Sequence, residues 1–234
     1  RIEGAFNKGD VVAVCDVDRQ RAEDVANWLR DVRPVTDPAE VFDADDVDVV
    51  DLCTPPFEHR SQIEAAMRAG KDVICEKPLV GSLRELEEIR ALEAETGRHV
   101  MPILQYRFGH GVQKVRHLVE SGLAGRPYVA NVDMAWKRAA DYYQVPWRGR
   151  WDTELGGVLL SHALHAVDMT VHVLGPPVAV WARTATLVNH IEVEDCAAVT
   201  MRWADGSLAT LSATLGSAQE ISRHRFTFEH LSAE

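Results

Sequence analysis

The first hundred residues alternate short, almost wholly apolar runs with helical patterns, and that alternation leaves few folds open. Residues 11–15, 47–53, 72–75 and 99–104 read as strands. Between them, residues 19–30 carry Ala22, Val25, Ala26 and Leu29 at helical spacing. Residues 57–69 are helical, with Gly70 as a natural stop. Ser82 caps a helix to about Thr96, and Glu85 three residues on completes a capping box. Strands of near-continuous Val and Ile, separated by helices, predict a parallel sheet covered on both faces. That is the α/β, doubly wound, Rossmann-like nucleotide-binding architecture.

The second half changes character. Residues 111–121 predict a helix, 126–137 a long strand, 142–150 an aromatic loop containing proline, and 155–174 one long, largely apolar helix ended by Gly175-Pro176-Pro177. Alternating strands follow at 178–187, 195–203, 207–215 and 224–228, with Asp205-Gly206 as a hairpin turn. This is an α+β pattern, with helices on one face of a mostly antiparallel open sheet. The expected division is a partial dinucleotide-binding domain over 1–104 and a substrate-binding and oligomerisation domain over 105–234. No Gly-x-Gly-x-x-Gly turn occurs. The strand ending at Asp16 therefore reads as the second of its fold, and residues 1–9 as the tail of the first helix. The expectation is a chain lacking both ends of a longer protein.

Composition narrows the partners. Twenty-five basic against 36 acidic residues give a net charge of −11, and no basic run occurs, which argues against nucleic acid or an anionic membrane. No apolar run approaches bilayer length and residues 1–8 hold no signal-peptide core, so a cytoplasmic protein is expected. Cys15, Cys53, Cys75 and Cys196 form no Cys-x-x-Cys pair and read as buried, reduced thiols.

Several residues could carry chemistry. The Glu76-Lys77-Pro78 corner plants one amine at the carboxyl end of a buried strand, the edge where open α/β sheets bind ligands. A lysine held there and partly desolvated can serve in proton transfer, although an isolated corner of this kind is more often an ordinary turn. Asp16 closes another strand, where an acid can accept bonds from ribose hydroxyls and repel a 2′-phosphate, favouring NAD over NADP. Its plain alternative is a turn aspartate or helix cap. Thr54-Pro55-Pro56 forms a stiff ledge or simple loop punctuation, and His59 stands on the first turn of the next helix, where a histidine is usually structural. Gln105-Tyr106-Arg107 ends the last strand of the first half, at the same sheet edge.

In Gly156-Gly157-Val-Leu-Leu-Ser161-His162-Ala-Leu-His165-Ala-Val-Asp168, helical spacing puts His162, His165 and Asp168 on one side, with Ser161 and His165 also neighbours. A histidine there can act as general base with a neighbour orienting its ring. Metal ligation is the rival reading, but the spacing is not that of zinc proteases and no cysteine is near, so no metal is expected. His172 reads as a core histidine. Trp147-Arg148-Gly149-Arg150-Trp151 offers cations among aromatics, suited to stacking on a cofactor or sugar, or to loop packing.

Taken in order, these pieces resemble the glucose–fructose oxidoreductase, inositol dehydrogenase and rhizopine-catabolism (Gfo/Idh/MocA) family. The matching residues are Cys15-Asp16, Thr54-Pro55-Pro56 with His59, Ala69-Gly70-Lys71 before Cys75-Glu76-Lys77-Pro78-Leu79, Tyr106-Arg107, Trp147-Arg148, Gly156-Gly157 with His165 and Asp168, and Val193-Glu194-Asp195 before Asp205-Gly206. The resemblance implies a Rossmann domain followed by a domain with a large open sheet, often used for dimer or tetramer contacts. It implies hydride transfer between NAD (NADP less favoured) and a hydroxyl-bearing carbon of a sugar or cyclitol. Lys77 and His165 would be catalytic. Asp16, Thr54, Pro55, Pro56, His59, Glu76, Lys77, Gln105 and Arg107 would bind the cofactor. Lys77, Trp147, Arg148, Ser161, His162 and His165 would bind the substrate. Ser161 departs from the family, many members of which carry an aspartate there. The alternative function is a non-catalytic remnant acting as a binding or assembly module.

Overall fold

A computed structural model describes residues 9–29 and 31–234. The expected helix tail over residues 1–9 lies almost wholly outside the described residues. The chain divides into two compact units: residues 1–54, 58–76 and 82–102 form the first, and residues 55–57, 77–81 and 103–234 the second.

In the first unit, strands β1 (Ala13–Cys15) and β2 (Arg33–Val35) pair in parallel, and β3 (Val49–Leu52), β4 (Asp72–Cys75) and β5 (Val100–Pro102) form a second parallel sheet. Helices α1 (Arg19–Leu29), α2 (Ala39–Phe42), α3 (Pro56–Arg68) and α4 (Leu83–Thr96) alternate with the strands. The stripe of α3, Ile63, Ala66 and Met67, is fully buried, as is Ile89 of α4. Arg60 bridges to Glu88 and Arg68 to Glu95, tying α3 to α4. Gly70 ends α3 with φ +81°, a conformation that side chains resist. Ser82 accepts the Glu85 N–H at 3.2 Å, so the predicted cap forms.

The parallel reading holds, with the described strands pairing as β1-β2 and β3-β4-β5, and one expectation needs correction. β3 buries Val50 and Leu52 but exposes Val49 and Asp51. Among the described residues β1 bonds only β2, and β3 only β4, so side chains beside each free edge stay accessible. Strand β2 has no counterpart in the sequence reading because it is three residues long and contains Pro34. The cysteines are unbonded, but Cys15 and Cys53 are exposed rather than buried because each sits at the open end of its strand.

In the second unit, β6 (Pro127–Lys137), β7 (Ala179–Ala185), β8 (Cys196–Arg202), β9 (Leu208–Thr214), β10 (Gly216–Phe228) and β11 (Ser232–Ala233) form one sheet in the order β11-β10-β6-β9-β8-β7. Only β6 and β9 pair in parallel. Gly206, φ +89°, makes the predicted turn between β8 and β9. One sheet face buries Val132, Met134, Met201, Leu211 and Phe226 in a cluster that includes Ala166 and Val173 of α6 (Leu164–Leu174), with Val115 and Leu118 of α5 (His110–Glu120) packed against it. The other face is polar near its centre, where Asn131 bonds Thr210 at 3.0 Å and Ser212 bonds Asp133 at 2.8 Å. β10 begins eight residues earlier than read, its start disguised by a register shift between Gly216 and Ile221.

The predicted long helix over 155–174 is broken. Residues Val158–His162 form a π-helical turn, Ala163 ends it, and α6 starts at Leu164. The turn is pinned from outside: Val158 N–H donates to the Glu194 carbonyl at 2.7 Å, and Gly157 and Leu159 N–H donate to the Glu194 carboxylate at 3.0 and 3.1 Å. No local pattern within 155–174 announces that constraint. A short 3₁₀ turn, Gln105–Phe108, likewise replaces the end of the expected strand over 99–104 and its continuation.

Candidate active site

Lys77 follows β4 at a corner whose Lys77–Pro78 peptide bond is cis. Its ammonium donates to the carbonyl of Ser161, so the second unit brings Lys77 onto the π turn, four residues ahead of His165 in the chain. Backbone in a π turn departs from the regular i to i−4 ladder, and such turns recur at functional sites.

A directed run of hydrogen bonds crosses this turn. Ser161 O–H donates to the Gly157 carbonyl at 2.7 Å and the same oxygen lies 2.7 Å from His162 Nδ1. With the hydroxyl proton used, Nδ1 carries the ring proton and donates to Ser161. His162 Nε2 is then the acceptor, 3.3 Å from the Tyr142 hydroxyl, and Tyr142 in turn accepts from Arg148. Burial, with the charges of Lys77, Arg138 and Arg148, pushes His162 down to about 3, so its imidazole is neutral at physiological pH. Ser161, expected as a neighbour of His165, bonds the adjacent His162, and the π turn ends at Ala163 between Ser161 and His165.

His165 is buried and stacks on Tyr106, ring centroids 4.5 Å apart. Tyr106 is presented by the 3₁₀ turn, and its neighbour Arg107 fastens that turn to α6 through both carboxylate oxygens of Asp168, at 2.5–2.9 Å. The hydrogen bonds it donates to Asp168 raise the Arg107 guanidinium above its ordinary range. Arg107 is thus engaged in an ion pair within the second unit, and Asp168 is its anion. Gln105 is exposed on the same turn. His172 is half-buried rather than in the core; its ring lies 2.8 Å from Arg116 Nη1. Burial, then the charges of Arg116 and Arg107, lower its pKa.

Arg148 stacks between aromatics, 4.0 Å from the Tyr142 ring centroid and 4.2 Å from that of Trp147. It also lines a hollow of about 520 Å³ with Tyr143, Gly149, Arg150, Asn189 and His190. Tyr142 and the buried Glu154, both in direct contact with this arrangement, escaped the sequence reading; the only signal was their place in an aromatic loop just before Gly156-Gly157.

In the first unit, Asp16 closes β1, accepting the Asp18 N–H at 2.8 Å and pairing with Arg21 at 2.9 Å. Thr54 O–H donates to Gln62 at 2.8 Å, and the buried His59 Nε2 lies 2.9 Å from the Thr54 carbonyl. His59 therefore holds the ledge from beneath, as its helix-start position suggested. Glu76 continues the β4 ladder, its N–H donating to Leu52. Pro55 is half-buried and Pro56 opens α3 at the first helical position, where its missing N–H costs nothing. Among the described residues, no group of three or more His, Cys, Asp and Glu is placed to hold a metal ion, and no helix is long and apolar enough to cross a membrane.

Known proteins share this pattern. Residues 2–104 match the model described as "Oxidoreductase family, NAD-binding Rossmann fold", and residues 112–230 match the GFO/IDH/MocA C-terminal domain. The inositol 2-dehydrogenase of Rhodococcus erythropolis is 36% identical over 132 residues, 56% of this chain and 38% of its own length. The D-apiose dehydrogenase of Paraburkholderia graminis is 26% identical over 219 residues, 93% of this chain and 56% of its own length. The chain thus spans between a third and three fifths of the curated relatives it matches. The WlbA dehydrogenase of Bordetella pertussis, solved with NADH and UDP-GlcNAcA, superimposes with a TM-score of 0.88 at 27% identity over 94% of this chain and 69% of that one. With both halves matched, this chain belongs to the GFO/IDH/MocA oxidoreductase family.

Proposed function

We propose that this chain carries the catalytic part of an NAD-linked dehydrogenase that oxidises a secondary hydroxyl of a sugar, cyclitol or related polyol. The observation that carries the reading is the meeting, inside one unit, of the Lys77 ammonium with the π turn that bears Ser161 and His162 and leads into His165. A cation beside a carbinol oxygen stabilises the alkoxide that forms as the proton leaves. Lys77 is that cation, and His165, its ring held against Tyr106, takes or relays the proton. His162 does neither: neutral and with Nε2 turned to Tyr142, it orders the turn and presents a fixed polar face to a substrate. Ser161, Trp147 and Arg148 complete the substrate side.

In the proposed functional division, residues 1–104 take the dinucleotide and 105–234 the substrate. The residues present suit NAD at the ribose end: the Asp16 carboxylate stands at the carboxyl end of a parallel strand, where ribose hydroxyls can donate to it. Thr54, Pro55, Pro56 and Glu76 supply the ledge and strand end beside it in sequence, with Gln105 and Lys77 as further contacts. His59 and Arg107 act by holding Thr54 and α6. When bound, the nicotinamide supplies the hydride acceptor, and that chemistry is the cofactor's own. The exposed Val178, Val180 and Trp181 along the β7 edge are the proposed contact with a second copy of the chain. The acidic surface and the NAD dependence fit an intracellular enzyme.

The test is NAD reduction by the full-length protein across a panel of sugars, inositols and sugar acids. Lys77→Ala should lower turnover on the accepted substrate by about 10²-fold or more while NAD still binds. Undiminished turnover in that variant defeats the assignment.

A further inference from the structure

The hollow of about 520 Å³ beside Arg148 has firmly held walls. Two loops make it, residues 143–150 and 186–192, and each is pinned by a buried carboxylate. Glu154, 1% exposed, accepts the Gly149 N–H at 2.5 Å. Asp195, 0% exposed, accepts the Leu187, Val188 and Asn189 N–H groups at 2.8, 2.9 and 2.7 Å. The loops are also fastened to each other. The Glu192 N–H donates to the Gly149 carbonyl at 2.8 Å, and the Glu192 carboxylate accepts the Trp151 N–H at 3.2 Å. Gly149, at φ +76°, lies so close to Ile191 that a Cβ would stand 2.7 Å from its Cγ2. Backbone already tied down in this way loses little freedom when a ligand arrives. The volume falls in the range of about 300–1,000 Å³ usual for small-molecule sites.

The side chains that line the hollow favour a neutral, hydroxyl-rich ligand over an anion. Both guanidiniums are already matched: Arg148 lies 3.7 Å from Glu154, and Arg150 pairs with Asp152 at 3.1 Å. Glu192 adds a carboxylate to the lining, so a phosphate or a second carboxylate would gain little there. A hydroxyl both donates and accepts, and the hollow offers both kinds of partner. Arg148, Arg150 and His190 carry N–H groups; Glu192 and the side-chain carbonyl of Asn189 accept. Tyr143 adds aromatic surface, which suits the C–H side of a sugar ring. Arg148 belongs to two places at once: it lines the hollow and donates to the Tyr142 hydroxyl, which lies 3.3 Å from His162 Nε2 on the π turn. We propose that the hollow is a second sugar subsite, and that the substrate is a glycoside whose neutral neighbouring ring sits against Tyr143, Asn189, His190 and Glu192 while the oxidised ring lies toward the π turn. This rests on the dehydrogenase reading of the Lys77 site and narrows its substrate class to molecules of two rings or more.

The full-length protein is assayed with NAD on glucose, on cellobiose, maltose and lactose, and on cellobiouronic acid, whose second ring is acidic. Contacts made by a remote ring can be used at the reacting one, so kcat/KM for at least one neutral disaccharide should exceed that for glucose by about tenfold or more. Values for all three no higher than for glucose, or highest for the acidic sugar, overturn the proposal. His190→Trp puts an indole into the hollow from an exposed position and should lower the ratio of disaccharide to glucose kcat/KM about tenfold. A ratio equal to the parent's overturns it. Should that variant not fold, Glu192→Gln keeps an acceptor for the Trp151 N–H and should lower the preference for the neutral over the acidic second ring about threefold, and an unchanged preference counts against the subsite. If the parent reduces NAD with no sugar or polyol, the dehydrogenase reading falls. Calorimetric titration with the same disaccharides then decides the subsite: binding to the parent that is lost in His190→Trp sustains it, and no binding, or equal binding to both, overturns it.

Discussion

Around Lys77, polar groups are held by buried partners distant in sequence: Lys77 by the Ser161 carbonyl, Arg107 by Asp168, and the amides of Gly157 and Leu159 by Glu194. Around Asp16 the partners lie within five residues, Asp18 and Arg21, and the side chains are largely open to water. Long-range bonds among buried groups make geometry and stability one property, since an unpaired buried partner costs about 1–3 kcal/mol. Local bonds at a wet turn can be changed one at a time for little. The first region is therefore expected to respond to substitution by unfolding or losing turnover, and the second by changing what it binds.

The comparison breaks most readily at Gly157. A Cβ there would sit 1.8 Å from the Glu194 carbonyl oxygen and 2.7 Å from its carbonyl carbon, so backbone must move. Gly157→Ala should cost about 3 kcal/mol or prevent folding of the second unit. The matched change near Asp16, Val17→Ala at an 87% exposed side chain, should stay within about 0.5 kcal/mol. Urea unfolding of both variants checks this, and equal losses would erase the distinction.

A second, smaller effect concerns pH. His162 titrates near 6.5 when unfolded and at about 3 when folded, so the unfolded chain binds the proton first as pH falls. Stability tied to this ring is full above 6.5 and drains away between 6.5 and 3. Between pH 7 and pH 5 the loss should be about 2 kcal/mol. In His162→Gln that share of the pH dependence should vanish, whatever other groups contribute. An identical slope of unfolding free energy against pH in parent and variant would mean that the ring charges freely in the fold.

The two regions also differ in how far sequence alone reveals them. The strand ending at Asp16, the Gly70 stop and the Ser82 cap are local events, written in runs of Val and Ile and in residues three apart, and they form as read. The π turn is not local. Residues 158–174 have helical periodicity throughout, and the bonds that distort the first turn come from Glu194, more than thirty residues away. The same holds for Tyr142 and Glu154. Each looks like an ordinary polar residue in a loop, and only burial turns one into a link of the bonded run and the other into an acid with one oxygen lacking a hydrogen bond. The residue types gathered on the π turn were legible. Which side chain bonds which was not, because one break at Ala163 redistributes every spacing argument across it.

A small change in stability, and the sharpest test of the comparison, is expected at Asp16. Its Oδ1 accepts both the Asp18 N–H and the Arg21 guanidinium, and Arg21 also lies 3.7 Å from Asp18. Asp16→Ser keeps a side-chain oxygen for the Asp18 N–H and removes the anion from Arg21. A surface pair of this kind contributes about 0–1 kcal/mol, so the melting temperature should barely move. Ligand preference should move more. The lost carboxylate no longer accepts from ribose hydroxyls or repels a 2′-phosphate, and Arg21 is released to pair with one. The ratio of NADP to NAD affinity should rise about tenfold, equivalent to about 1.4 kcal/mol. Adding Arg21→Ala should take most of that gain away, which separates a new guanidinium–phosphate contact from simple loss of repulsion. If the ratio is unchanged in Asp16→Ser, the aspartate is only the cap of its turn, and the open end of β1 has no part in choosing the cofactor.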